Sequence, residues 1–238
     1  MCDRPGRTSR GEAPTAREAT RVSTDPKLVI AARAALELRA GEVVNLGIGI
    51  PNLIPSLLGP DTDVYLHTEN GLLGVGPRPS EAELDADLID AAKRPVTALP
   101  GASYFDSAES FAMIRGGHVD VAVLGALQVS GGGDIANWAV PGKDVLGVGG
   151  AMDLVVGARR VIVTMTATSS SGEPKLVGEC TYPLTAPAAA DVVITDLGVF
   201  RFRPEGLVLT ELLGDATLHA VAAVTAAPYA VDLDGVGV

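Results

Sequence analysis

Residues 43–51, Val43-Val44-Asn45-Leu46-Gly47-Ile48-Gly49-Ile50-Pro51, decide how the chain is read. The first four form a short β-prone run and the rest a glycine turn stopped by proline, so a buried strand feeds a loop there. Upstream, Ser23-Thr24-Asp25-Pro26 is a cap cluster with Pro in the first turn, and Leu28, Ala32, Ala35 and Leu36 recur at helical spacing as far as Leu38, with Gly41 as the stop. Downstream, the spacing predicts a second helix over Asn52–Leu58, a strand over Asp63–His67 and a second glycine-rich loop over Asn70–Pro79. Glu81–Lys93 reads as a helix with Leu84, Leu88, Ala91 and Ala92 on one face and acidic residues mostly on the other. Strands are expected over Val96–Leu99, Val119–Leu124, Arg160–Thr164 and Val192–Thr195, and helices over Ser107–Ile114, Met152–Gly157 and Thr217–Thr225. Apolar strands alternating with helices predict an α/β fold, an open and largely parallel sheet with flanking helices.

The composition agrees with one such domain. Of 238 residues, 47% are hydrophobic and only 4% aromatic, so the core must be aliphatic and large enough to need no staple. Eighteen Lys and Arg against 29 Asp and Glu leave a net charge of −11, which disfavours nucleic acid as a partner. Residues 1–24 differ: five Arg against Asp3, Glu12 and Glu18 make them +2 and leave −13 on the rest. They are expected to be a flexible basic extension on a domain spanning 25–238. No apolar run follows the arginines and none is long enough to cross a membrane, so the expected setting is cytoplasmic with no membrane contact. Cys2 and Cys180 suggest no disulfide framework, and His67, His118 and His219 are too scattered for a metal site. Cys180 reads as an inert buried thiol and His118 as a helix-terminal or surface residue. Arg115 reads as half of a structural salt bridge.

In open α/β sheets, ligands gather at loops leaving the carboxyl ends of strands. Gly47–Pro51, Thr68–Pro77 and Gly147–Asp153 are three such loops. The Gly47-x-Gly49 pair is not a dinucleotide fingerprint, because the third glycine is missing and Pro51 intrudes. Glu69, directly after a strand and beside Asn70-Gly71, must be paired, solvated or functional, since burying a lone charge is costly. Spacing alone favours a solvated or capping carboxylate.

Longer stretches change that reading. Leu46-Gly47-Ile48-Gly49-Ile50-Pro51-Asn52 and His67-Thr68-Glu69-Asn70-Gly71-Leu72-Leu73-Gly74-Val75-Gly76-Pro77 resemble the β subunit of family I CoA-transferases. The resemblance continues through Ser110–His118, Gly133–Trp138, Gly149-Gly150-Ala151-Met152-Asp153-Leu154, Lys175-Leu176-Val177 and Tyr182-Pro183-Leu184-Thr185. It implies that Glu69 is the nucleophile, since an ionised carboxylate needs no general base to attack a thioester. It further implies that the backbone at Gly149, Gly150 and Ala151 forms an oxyanion site, and that Gly47, Gly49, Asn70, Gly71 and Gly74 belong to the substrate or CoA loops. Coenzyme A would be a substrate and covalent intermediate, with no permanent cofactor and no metal. A separately encoded α subunit is implied, in an α2β2 assembly. The donor would be an acyl-CoA, succinyl-CoA by family, and the acceptor a 3-oxo acid. Tyr182–Thr185 leans toward 3-oxoadipate, with acetoacetate as the other acceptor.

Three departures stand out: Thr68 replaces the commoner Ser, Met165–Gly172 lacks the family's His and Lys, and Ala186 stands where Gly is usual. Two other readings remain open. One is a CoA-transferase-like hydrolase that opens a ring or cleaves a carbon–carbon bond; the other is a non-catalytic partner subunit.

Overall fold

The computed structural model describes residues 16, 20, 23–59, 62–143 and 147–233. Of the extension expected over 1–24, all but Ala16, Thr20, Ser23 and Thr24 lie outside the described residues. Helix α1 (Pro26–Ala35) starts at the cap cluster, where the Asp25 side chain accepts from the Lys27 N–H at 2.9 Å. It ends three residues before Leu38, and every side chain from Val29 to Ala35 is buried. Strand β1 (Val43–Leu46) follows and leads through the Gly47 turn to a 3-10 segment, Ile50–Ser56, not the expected α-helix. Pro55 within that segment has no N–H to donate, which works against a continued α-helical ladder.

Strand β2 (Tyr65–Thr68) turns back as β3 (Leu72–Val75), an antiparallel strand inside the stretch read as loop. The helix expected over 81–93 is absent: Glu81–Glu83 make one 3-10 turn and the remainder is irregular. Short acidic side chains hold the backbone locally there, Asp85 accepting from the Asp87 N–H and Asp90 from the Arg94 N–H, each at 2.9 Å. The supposed apolar face is not buried as a unit: Leu84 is 54% exposed, whereas Leu88, Ala91 and Ala92 are half-buried. The chain continues through β4 (Ala98–Tyr104), α2 (Ser107–Arg115), β5 (Val121–Gly125), β6 (Gln128–Ser130) and β7 (Ile135–Ala136). Then come α3 (Ala151–Gly157), β8 (Arg160–Thr164), β9 (Leu176–Val177) and β10 (Val192–Ile194). The hairpin β11 (Gly198–Arg203) and β12 (Gly206–Leu212), helix α4 (Leu218–Val224) and β13 (Ala230–Val231) complete it.

Among the described residues, ten strands form one sheet in the order β13-β12-β11-β10-β8-β5-β1-β2-β3-β4. The central run β10-β8-β5-β1-β2 is parallel throughout. Antiparallel pairs extend it on both sides, β3 and β4 beyond β2, and β11 and β12 beyond β10. The sheet is therefore mixed, with its parallel part at the core. Strands β7, β6 and β9 make a second, small sheet.

Side chains leave a strand alternately to its two faces, and β5 shows the consequence. Val121 and Val123 pack with Ile30 of α1 and Ile54 of the 3-10 segment, whereas Ala122 and Leu124 pack with Ile114 of α2 and Leu154 of α3. Ile30, Ile54 and Ile114 are fully buried, each contributing about 1.5–3 kcal/mol by burial. On the α1 face a charge cluster joins helix to sheet: Glu37 pairs with Arg33, Arg160 and Arg201, while Arg33 also reaches Glu211 at 2.8 Å.

Candidate active site

The β1–β2 register aligns Asn45 with His67, so both side chains leave the same face of the sheet, the one covered by α2 and α3. Glu69, two residues after His67, shares that face just beyond the carboxyl end of β2. It sits in the three-residue β2–β3 turn, closed by the Gly71 N–H donating to Thr68 O at 3.0 Å. Gly71 has φ +125°, and a Cβ there would collide with the Phe105 carbonyl, whose own N–H donates to Gly71 O at 3.0 Å. Only glycine satisfies this turn.

Asn45 is fully buried and its Nδ2 donates to Glu69 Oε2 at 3.0 Å. The same nitrogen lies 3.1 Å from His67 Nδ1 and 3.4 Å from His67 O, while Ser110 Oγ of α2 lies 3.2 Å from His67 Nε2. The His67 ring stacks on Phe105 with centroids 5.8 Å apart. Burial pushes its pKa down to about 4, so the ring is neutral near pH 7. Gly150, at the start of α3, closes the other side: a Cβ there would fall 3.8 Å from Glu69 Cγ and 2.8 Å from the Phe111 ring. The half-buried carboxylate is thus flanked by one neutral amide and a stretch of main chain that approaches closely because it is glycine. The Gly149, Gly150 and Ala151 N–H groups donate to no backbone carbonyl among the described residues.

Other expected positions serve the backbone. Gly47 packs against Leu124 and its N–H donates to Val123 O at 2.8 Å, fixing the turn out of β1. Gly49, with φ +98°, opens the 3-10 segment and faces free space beside Ile48, which is 70% exposed. Asn70 donates to Ile89 O at 2.8 Å and accepts from Thr68 Oγ1 at 2.7 Å; Thr68 Oγ1 in turn accepts from the Ala91 N–H. These two side chains strap residues 89–91 to the turn that bears Glu69. Gly74, with φ +91°, marks the irregularity in the β3–β4 pairing.

Arg115 pairs with Asp153 at 2.6 Å and lies over the Phe111 ring, in line with a structural salt bridge. His118 is an exposed residue just after α2, its N–H donating to Met113 O. Cys180 is half-buried, and burial first, then Asp134, pushes its thiol up to about 11. No group of His, Cys, Asp and Glu among the described residues could hold a metal ion, and no described helix is long and apolar enough to cross a membrane.

Asn45, His67, Ser110 and Phe111 gather around Glu69 in a way that spacing alone does not reveal. One signal was present: Asn45 is the single polar residue in an otherwise apolar strand. On the opposite, α1-covered face lies a cavity of about 340 Å3 lined by Leu46, Leu53, Leu66, Val75, Arg78 and Arg94, among others.

The fold agrees with comparison to known proteins. A family model described as coenzyme A transferase matches residues 27–223, and the chain belongs to that family. The chain is 49% identical over 201 residues to one of the subunits of the succinyl-CoA:3-ketoacid coenzyme A transferase of Helicobacter pylori, spanning 84% of this chain and 97% of that one. It is 49% identical over 210 residues to the mitochondrial succinyl-CoA:3-ketoacid coenzyme A transferase 2A of Rattus norvegicus, spanning 87% of this chain but 40% of that one. The apoenzyme structure of an Escherichia coli O157:H7 acyl-CoA transferase shares the fold, with a TM-score of 0.73 at 21% identity over 90% of this chain and 43% of that one.

Proposed function

We propose that this chain is the β subunit of a CoA-transferase that carries CoA from succinyl-CoA to a short 3-oxo acid through a thioester on Glu69. The observation that carries the proposal is the placement of Glu69 at the carboxyl end of a parallel-core strand, held by Asn45 Nδ2 and bordered by Gly150. A carboxylate oxygen of Glu69 attacks the thioester carbonyl and the C–S bond breaks, leaving an acyl-glutamyl anhydride and CoA thiolate. The thiolate attacks the Glu69 carbonyl carbon, and the donor acid departs as a carboxylate. The acceptor carboxylate then repeats both steps in reverse order, so no net proton is taken up and the thioester energy is conserved. Each addition generates an oxyanion, for which the N–H groups at Gly149–Ala151 are the proposed donors, worth about 3–4 kcal/mol each. A neutral His67 fits this chemistry, which requires no base.

The Helicobacter pylori relative is named as one subunit of its enzyme, which supports a separate α chain here, and a mitochondrial relative of which this chain spans 40% has ample length for such a second part. We assign the active enzyme to an α2β2 assembly with CoA as substrate. Acetoacetate and 3-oxoadipate are the acceptors to compare, and the relatives' names favour the general 3-oxo acid class. The test is to incubate the α–β complex with succinyl-CoA, reduce with borohydride and map the product by mass spectrometry. Reduction of the Glu69 carboxyl to an alcohol is expected. An unmodified Glu69, with full transfer activity in Glu69→Ala, would refute the mechanism. Loss of CoA thioester without any acceptor acid would point to a hydrolase instead.

A further inference from the structure

We infer that His67 is a positioning residue for Glu69, acting through the side-chain amide of Asn45. The inference rests on Glu69 being the nucleophile. Three atoms surround Asn45 Nδ2: Glu69 Oε2 at 3.0 Å, His67 Nδ1 at 3.1 Å and the His67 carbonyl oxygen at 3.4 Å. The two oxygens can only accept, so the amide must present its NH2 group here, and Nδ1 must offer a lone pair. The ring proton then lies on Nε2, where Ser110 Oγ accepts it at 3.2 Å. Asn45 Oδ1, on the far side of the amide, is buried with no hydrogen-bond partner among the described residues. Among the described residues, no hydrogen bond on that side holds the amide in its orientation.

A lone pair on His67 Nδ1 therefore joins the Glu69 carboxylate and the His67 carbonyl in fixing which way Asn45 points. A proton on Nδ1 would favour the amide turned by half a rotation, with Oδ1 accepting from the ring and an oxygen facing the Glu69 carboxylate. Asn45 would then repel the group it now orients. The Ser110 hydroxyl accepts from Nε2 in the present tautomer and holds the ring in place, and burial of the ring disfavours the doubly protonated form. The groups facing the ring are Asn45 from β1, Ser110 from α2 and Phe105 from the turn after β4, with Glu69 as the charged member of the cluster. A buried orphan acceptor is uncommon and costs stability, as expected where an amide is held for function.

Four variants in the α–β complex test this: His67→Leu, His67→Gln, Ser110→Ala and Glu69→Ala. The readouts are single-turnover formation of the glutamyl-CoA thioester, kcat and KM for succinyl-CoA, and 15N NMR of the His67 ring. His67→Leu removes both ring partners and should lower kcat about tenfold to a hundredfold with KM unchanged, the range of a lost hydrogen bond to a charged group. His67→Gln keeps one acceptor and one donor and should restore most of the rate. Ser110→Ala, a deletion of one oxygen for use if His67→Leu does not fold, removes the partner at Nε2, loosens the ring and should slow thioester formation. Full kcat in folded His67→Leu, His67→Gln as slow as His67→Leu, or Ser110→Ala at the wild-type rate overturns the role of His67. An active Glu69→Ala overturns the nucleophile reading itself, whereas an inactive one beside a fully active His67→Leu removes the positioning role alone.

Discussion

Glu37 and Glu69 are carboxylates on opposite faces of the same sheet, and their surroundings differ in one respect that matters. Around Glu37 stand Arg33, Arg160 and Arg201. Burial alone would raise its pKa, but the Arg201 hydrogen bond and the charges of Arg33 and Arg201 outweigh burial and hold it below 4.5. Glu69 receives one neutral amide from Asn45 and is half-buried. A carboxylate saturated by guanidinium groups has its lone pairs committed and serves as a structural tie. One held by a single neutral donor is oriented while keeping an oxygen for attack. The same residue type is tied down or left with an uncommitted oxygen according to what surrounds it.

The sharpest way to break this contrast is to remove each acid in turn. Glu69→Ala should lower transfer by at least about a thousandfold, as loss of a nucleophile does, without altering the unfolding temperature. Glu37→Ala should do the reverse. It takes a carboxylate from Arg33, Arg160 and Arg201, of which Arg33 keeps Glu211 and Arg160 keeps Glu42, and should cost about 3 kcal/mol of stability in urea titration, with kcat of the folded complex unchanged. If Glu37→Ala instead abolished turnover at full stability, the division of roles would be wrong. Gly150→Ala tests the open side of Glu69. Its new Cβ must displace the Phe111 ring, 2.8 Å away, and shift the main chain, so kcat should fall by about tenfold to a hundredfold while Glu69 stays labelled more slowly.

A more gradual effect is on stability against pH. His67 has its pKa lowered from 6.5 to about 4 in the folded state, so the unfolded chain binds that proton more readily. Stability from the neutral ring is present above pH 6.5 and is lost as pH falls through the interval down to about 4. The whole interval is worth about 3 kcal/mol, at about 1.4 kcal/mol per pH unit. Glu37 adds acid sensitivity at lower pH, because its folded pKa lies below 4.5 and its stabilisation disappears as pH drops through that value. His67→Gln should flatten the upper part of the acid limb and leave the lower part, as measured by thermal unfolding across pH.

The elements legible in the sequence are those whose local pattern and tertiary role coincide. The Asp25-Pro26 cap, the β1 run before Gly47, the β-branched β8 and β10, and α2 with its glycine stop all lie where periodicity and turn chemistry put them. The 81–93 segment misled because an amphipathic pattern requires a surface to bury against, and none is present beneath Leu84. Strand β3 was obscured by Gly71 and Gly74, which serve a tight turn and a pairing irregularity instead of a loop. The β11–β12 hairpin carries Arg201, Arg203, Pro204 and Glu205 in its middle, and this polar centre masked two strands whose alternate residues Phe200, Leu207 and Leu209 are buried.

At the site, the sequence alone determined the glutamate-bearing turn, because Glu69, Asn70 and Gly71 are consecutive and their backbone demands are local. Gly150 could be tied to Glu69 only by resemblance, since 81 positions separate them and no local rule spans that gap. Tertiary structure decided the rest. Parallel pairing of β1 with β2 sets Asn45 beside His67, and packing of α2 on the sheet brings Ser110 to the ring. Those contacts depend on strand register and on which face a helix covers, quantities fixed by the burial of the whole core, so the glutamate and its turn can be read from the chain while its orientation belongs to the fold.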